Sequence, residues 1–138
     1  MSIFLRNLAV AAGVFLLTWV FFRVALTAEV TAIESARGQD VGVFVHTMDG
    51  AATRIRFVYL PLGALGAGVA VGTFGRNWHW AWLIALFGGV PVLALLVISF
   101  LAGPSFLTAT TSVLGIVLIF SSATAIMWWR EQRHTNDA

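Results

Sequence analysis

A chain of 138 residues that is 59% hydrophobic and only 10% charged, with a mean hydropathy of +0.91, carries too little polar surface for a soluble globular domain. Its formal net charge is +2 and all eight positive charges are Arg, so the high isoelectric point reflects a slight imbalance among few charges and argues against a nucleic-acid-binding surface. The absence of Cys excludes disulfides, thiolate metal sites and a cysteine nucleophile.

The chain opens with Met1-Ser2-Ile3-Phe4-Leu5-Arg6, which has the positive beginning of a signal sequence. The apolar run from Leu8 to Leu26 is longer than a signal core and lacks a small-x-small exit, so it is read as a retained first span over residues 5–27. Arg23 is the unusual residue there. Near the end of the span it can snorkel to the outer headgroups, or contact an anion, a quinone or another subunit.

Residues 28–56 form the one substantial segment outside the spans. Ala28 to Arg37 continues the first helix, and Gly38 and Asp40 favour an exit from it. The following Val41-Gly-Val-Phe-Val alternation, with Asp49-Gly50 ahead of Arg54-Ile55-Arg56-Phe57, predicts a β-hairpin with a two-residue primed turn. Phe44 then lies opposite Ile55 and His46 opposite Thr53, while Val43 and Val45 share the other face with Arg56 and Arg54. Two strands alone are marginal, so this hairpin is expected to rest on the membrane, on its own helices or on another subunit. Phe44, Arg54, Ile55 and Arg56 are its candidate contacts.

A second span over residues 57–75 contains Gly63, Gly66, Gly68 and Gly72. Gly68-x-x-x-Gly72, with Ala64 one step earlier, offers a small face for close helix packing. From Asn77 to Trp129 there is no Asp, Glu, Lys or Arg, and the tract is divided by Gly103-Pro104-Ser105 into spans 78–102 and 106–129. Gly88-Gly89 and Pro91 predict a bend inside the third span. Trp78, Trp80 and Trp82 at its start, with Trp128 and Trp129 at the end of the fourth, make an aromatic belt, and Trp78 and Trp80 are candidate partner or lipid contacts.

The expected fold is an all-α integral membrane protein. It is a single membrane domain over residues 1–138, with four transmembrane helices and a short external β-hairpin between helices 1 and 2. Arg6, Arg76, Arg130 and Arg133 flank the spans and place both termini in the cytoplasm, in a membrane of the bacterial inner-membrane type.

No catalytic constellation is complete. Glu29 and Glu34 are five residues apart and do not share a helical face, and Ser121, Ser122 and Thr124 have no adjacent base. His46, His79 and His134 are too scattered in sequence for a metal site. His79 is the one cofactor-binding candidate, as a contact for a quinone or tetrapyrrole, set against an interfacial hydrogen bond.

The leading functional expectation is therefore a non-catalytic accessory or structural subunit of a larger membrane complex, assembled through helix packing and the external hairpin, with other integral membrane subunits and lipids as partners. A redox- or pigment-complex subunit contacting a quinone or tetrapyrrole through His79 is one alternative. A small homo-oligomeric transporter or channel is the other. In length and four-span layout the chain resembles the small multidrug transporters, but their first-helix membrane glutamate has no match from Leu5 through Thr27, so the resemblance does not carry over cation export.

Overall fold

The computed structural model describes residues 2–103 and 105–137, so Pro104 of the expected third turn lies outside the described residues. Helix α1 runs over Ile3–Ala36, with the Ser2 hydroxyl accepting from the Leu5 N–H at its start. A second long rod follows, built from α2 (Val41–Arg54), a π-helical turn (Ile55–Tyr59) and α3 (Leu60–Phe74). A short 3-10 turn (Trp78–Trp80) leads into α4 (Ala81–Gly88) and α5 (Val90–Ala102), and α6 covers Phe106–Asp137.

Three helical stretches are long and apolar enough to cross a bilayer, and a fourth crossing is available if the bent pair Trp78–Gly88 and Val90–Ala102 counts as one span. The protein is thus an all-α bundle of membrane-spanning type. Its outer surface supports the same reading, since Leu16, Leu17, Trp19, Val20, Val113, Leu114 and Val117 all point away from the bundle. Hydrocarbon solvates such a face without cost, and water does not.

The external segment differs from expectation: no strand occurs among the described residues, and the predicted β-hairpin is a helix. The Val41, Val43 and Val45 alternation that suggested a strand leaves all three side chains exposed. A helical period competes with it. Phe44, Thr47, Ala51 and Ile55 recur at three- and four-residue spacing and form the more buried face. Asp49-Gly50 consequently sits within continuous helix, where Gly costs about 1 kcal/mol relative to Ala, an amount that packing of the rest of α2 against α1 offsets. Residues 28–54 therefore form a helical hairpin turning at Arg37 to Asp40, and the cross-strand register proposed for Phe44, Ile55, Arg54 and Arg56 does not exist.

Both irregularities within the rods trace to proline. Pro61 has no N–H to give the Phe57 carbonyl and its ring crowds that group, and the chain widens into a π turn in which the Leu60 N–H bonds the Ile55 carbonyl instead. Pro91 likewise follows the break at Gly89, where α4 and α5 meet at 62°. Gly88 permits that corner to press on α1, since a Cβ there would lie 3.1 Å from the Val14 Cβ and 3.2 Å from the Ala11 carbonyl oxygen.

The core is made of small and β-branched residues, among them Ala64, Ala67, Val71, Ala85, Val92, Ile119 and Ala123. Helices α3 and α6 form its tightest pair. A Cβ at Gly68 would collide with the Ser122 hydroxyl and come within 2.8 Å of the Ile119 carbonyl oxygen, while one at Gly72 would lie 2.6 Å from the Ile126 Cβ. Gly63 faces the Phe22 ring of α1. Gly66 behaves differently, with nothing within 4 Å of the position a Cβ would take.

Candidate functional site

Polar chemistry collects at the two ends of the bundle. At the α1–α2 end, beyond the first apolar span, Arg54 donates from Nε and Nη2 to the Glu29 Oε1 and Oε2 at 2.7 and 2.6 Å. The Tyr59 hydroxyl donates to the same Oε1 at 2.7 Å. The π turn brings Tyr59 round to α1, so the carboxylate ties α1 to both α2 and the turn. These hydrogen bonds, with Arg54 foremost, lower the Glu29 carboxyl to about 2 against opposing desolvation. Arg56, on the turn itself, has its Nε buried with no hydrogen-bond partner among the described residues.

The opposite end is built around the Gly75–Asn77 loop, which α1 and α6 hold from two sides. Arg6 Nε donates to the Phe74 carbonyl at 3.0 Å, and the Asn7 amide spans Arg76 by donating to its carbonyl and accepting its N–H, both at 2.9 Å. From α6, Arg130 donates to the Gly75 carbonyl. Glu131 accepts the Asn77 N–H at 2.5 Å and the Trp78 N–H at 3.3 Å, so a carboxylate from another helix caps the start of the third apolar block, where the backbone dipoles favour negative charge. Asn77 takes a positive φ of 67°, and its side-chain oxygen accepts the His79 N–H at 3.3 Å.

These contacts place three guanidinium groups, those of Arg6, Arg76 and Arg130, around one open cavity of about 820 Å³ that is also lined by His79, Glu131 and His134. The one ion pair among the described residues joins Arg54 to Glu29, so none of the three is paired with a carboxylate there. Burial, followed by repulsion from Arg6 and opposed by Glu131, leaves the Arg130 guanidinium below its ordinary value, and Arg76 adds to that repulsion. Such a cluster has spare N–H donors and a positive field directed into a concave space, which are the requirements for holding an anion.

No family model, curated protein or solved structure matches the chain.

The candidates from the sequence are distributed as follows. His79 lines the arginine cavity, its ring tilted against the Trp78 ring with centroids 4.0 Å apart, and shares that cavity with His134. No group of three or more His, Cys, Asp or Glu able to hold a metal ion occurs among the described residues. Trp80 is exposed beside it on the outer surface. Arg23 is exposed on the outer face of α1 with Val20, Val24 and Thr27, where its stem lies on apolar surface. Phe44 and Ile55 are half-buried on the inner face of the α1–α2 hairpin, and Arg54 is engaged by Glu29. An assembly role carried by an external β-hairpin is thus overturned, because the segment is helical and two of its four expected contact residues face inward.

The sequence reading set Glu29 aside as half of an unconvincing pair with Glu34, and it did not single out Tyr59, Asn7, Asn77 or Glu131. Of these four, Glu131 left a signal, as an acid directly after Arg130 at the foot of an otherwise uncharged span.

Proposed function

We propose that this protein is a membrane-embedded binding protein for an anion, held at the Arg6, Arg76 and Arg130 end of the bundle. The observation that carries the proposal is the convergence of three guanidinium groups, from α1, the α3–α4 loop and α6, on one open cavity with no carboxylate ion-paired to any of them among the described residues. Arg6 and Arg130 each use one donor on the loop backbone, which fixes their position and leaves the rest of each fork for a ligand. Arg76 makes no side-chain hydrogen bond among the described residues and is the group most available to the anion. Phosphate and carboxylate groups are the chemistry such forks recognise.

In this reading the arginine end faces the cytoplasm of a bacterial-type cell. Arg6, Arg76, Arg130 and Arg133 meet only Glu131 and Asp137 at that end, whereas Arg23, Arg37, Arg54 and Arg56 at the other are matched by Glu29, Glu34, Asp40 and Asp49, so the positive excess lies on the proposed cytoplasmic side. A chain without Cys makes the orientation directly measurable. A single cysteine at Thr135 should react with a membrane-impermeant maleimide only after the cytoplasmic face is opened, and labelling of intact cells would reverse the assignment.

Binding is tested by titrating inorganic phosphate and glycerol phosphate into detergent-purified protein and following the phosphorus NMR linewidth. Broadening should weaken as salt rises, because the attraction is screened, and should fall in Arg76→Gln. Equal broadening for the wild type and the variant would defeat the reading.

A further inference from the structure

The arginine cavity continues into the bilayer-facing side of the molecule. Between α1 and α3 runs an open apolar slot that begins at Arg6 and Arg76 with a volume of about 710 Å³. Past Val14, Leu17 and Ala70, which are common to both parts, it extends for a further 370 Å³ or so to Phe21 and Leu62. Gly13 of α1 lines the near part and Gly66 of α3 the far part, and nothing lies within 4 Å of where a Cβ would stand on either. Neither glycine is used for helix contact, and the slot stays open beside the point where Gly63 meets the Phe22 ring. Thr18, the polar residue along the far part, satisfies its hydroxyl on the Val14 and Phe15 carbonyls, so the slot presents no group that needs water.

Resting on the anion-binding reading above, we infer that the ligand is an anionic lipid. Its headgroup sits against Arg6, Arg76 and Arg130 and one acyl chain lies in the α1–α3 slot. Charge complementarity selects this occupant, since an apolar channel whose mouth carries guanidinium groups matches an amphiphile with a negative head. Length agrees. From Arg6 to Phe21 the helix rises about 22 Å at 1.5 Å per residue. One leaflet of a bilayer with a hydrocarbon core of roughly 30 Å offers its chains about 15 Å. A chain entering at the arginines is thus accommodated along its whole leaflet depth. Lipid tails gain no hydrophobic energy by leaving other tails, so selectivity comes from the headgroup charge and the shape of the slot.

The test uses dioleoyl phosphatidylglycerol, dioleoyl phosphatidylcholine and glycerol phosphate as probes, with full-length protein in mild detergent and native mass spectrometry to count bound lipid. Wild type should retain one phosphatidylglycerol in preference to phosphatidylcholine. Filling the slot with Gly13→Leu and Gly66→Leu, both into open space, should weaken phosphatidylglycerol binding by about tenfold while glycerol phosphate binding is unchanged. Arg76→Gln should weaken both. Wild-type lipid affinity in the leucine variant would overturn the slot proposal and leave the anion site standing, whereas an Arg76→Gln variant that loses neither ligand would overturn both. Should the leucine variant fold poorly, wild type can be cross-linked to phosphatidylglycerol carrying a diazirine in its chain. Adducts on α1 between Ala9 and Phe21 and on α3 between Leu62 and Phe74 support the proposal, and adducts confined to other helices refute it.

Discussion

Gly66 and Gly68 sit two residues apart on α3, and leucine should be tolerated at the first and strongly destabilising at the second. At Gly68 the first added carbon already lies 2.8 Å from the Ile119 carbonyl oxygen and 3.1 Å from the Ser122 Cβ, and collides with the Ser122 hydroxyl. Of these obstacles the Ile119 carbonyl is helix backbone and the Ser122 Cβ is fixed directly to it, so neither can rotate aside. The Ser122 hydroxyl is itself held on the Leu118 carbonyl at 2.6 Å. Helix α6 must therefore move off α3, and overpacking of this kind costs about 1–3 kcal/mol, with leucine at the upper limit because its branch lies wholly inside the contact. At Gly66 the same side chain enters open space, and the change should be neutral or stabilising by up to about 1 kcal/mol, the gain in helix propensity. Unfolding in mixed micelles by dodecyl sulfate titration, followed by far-ultraviolet circular dichroism, reads the difference, with Ile116→Leu on the outer face as a reference. Equal midpoints for the two glycine variants would refute the α3–α6 packing described above.

Three further perturbations probe the polar ends. The Glu29 carboxyl is held at about 2 against an ordinary 4.5, so its contribution to folding is complete above 4.5, shrinks as the pH falls and is lost near 2. The α1–α2 hairpin should lose protection from hydrogen exchange across that window, and Glu29→Gln should be less protected at neutral pH and show no such dependence. Glu131→Gln should cost about 1–2 kcal/mol, since Gln keeps one neutral acceptor for the Asn77 N–H and loses the acceptor of the Trp78 N–H. Its effect should appear in the same micelle titration. At Asn77, with φ 67°, alanine should destabilise by roughly 1–2 kcal/mol while glycine relieves the backbone part of that cost, an ordering opposite to the one expected at a helical position.

What was legible in the sequence follows from what the bilayer imposes. Long apolar stretches have to become helices because no other local structure satisfies their backbone, and α1, α3 and α6 were readable on that ground alone. Outside the bilayer that compulsion ends, and the 41–54 segment carried both a strand alternation through its valines and a helical period through Phe44, Thr47, Ala51 and Ile55. The helical period prevailed because α1 continues to Ala36 and offers a face to pack against. The Glu29–Arg54 pair became visible only with that helical phase, since Arg54 had been placed on the face of a strand. Arg6, Arg76 and Arg130 were recognisable as flanking charges, but their convergence depends on how α1 and α6 meet the Gly75–Asn77 loop, which no local pattern records.

That loop also constrains the order in which the protein can be completed. Its partners Arg6 and Asn7 emerge from the ribosome with α1, whereas Arg130 and Glu131 emerge only after α1 to α5 have been made. While the middle spans insert, the Asn77 and Trp78 N–H groups have only water or headgroups to bond, so the start of the third apolar block stays loosely anchored until α6 arrives. Final locking of the bundle is therefore a post-translocation event. A nascent chain arrested before Arg130 should hold its early spans in the membrane yet leave the loop open to protease, and release of α6 would close it.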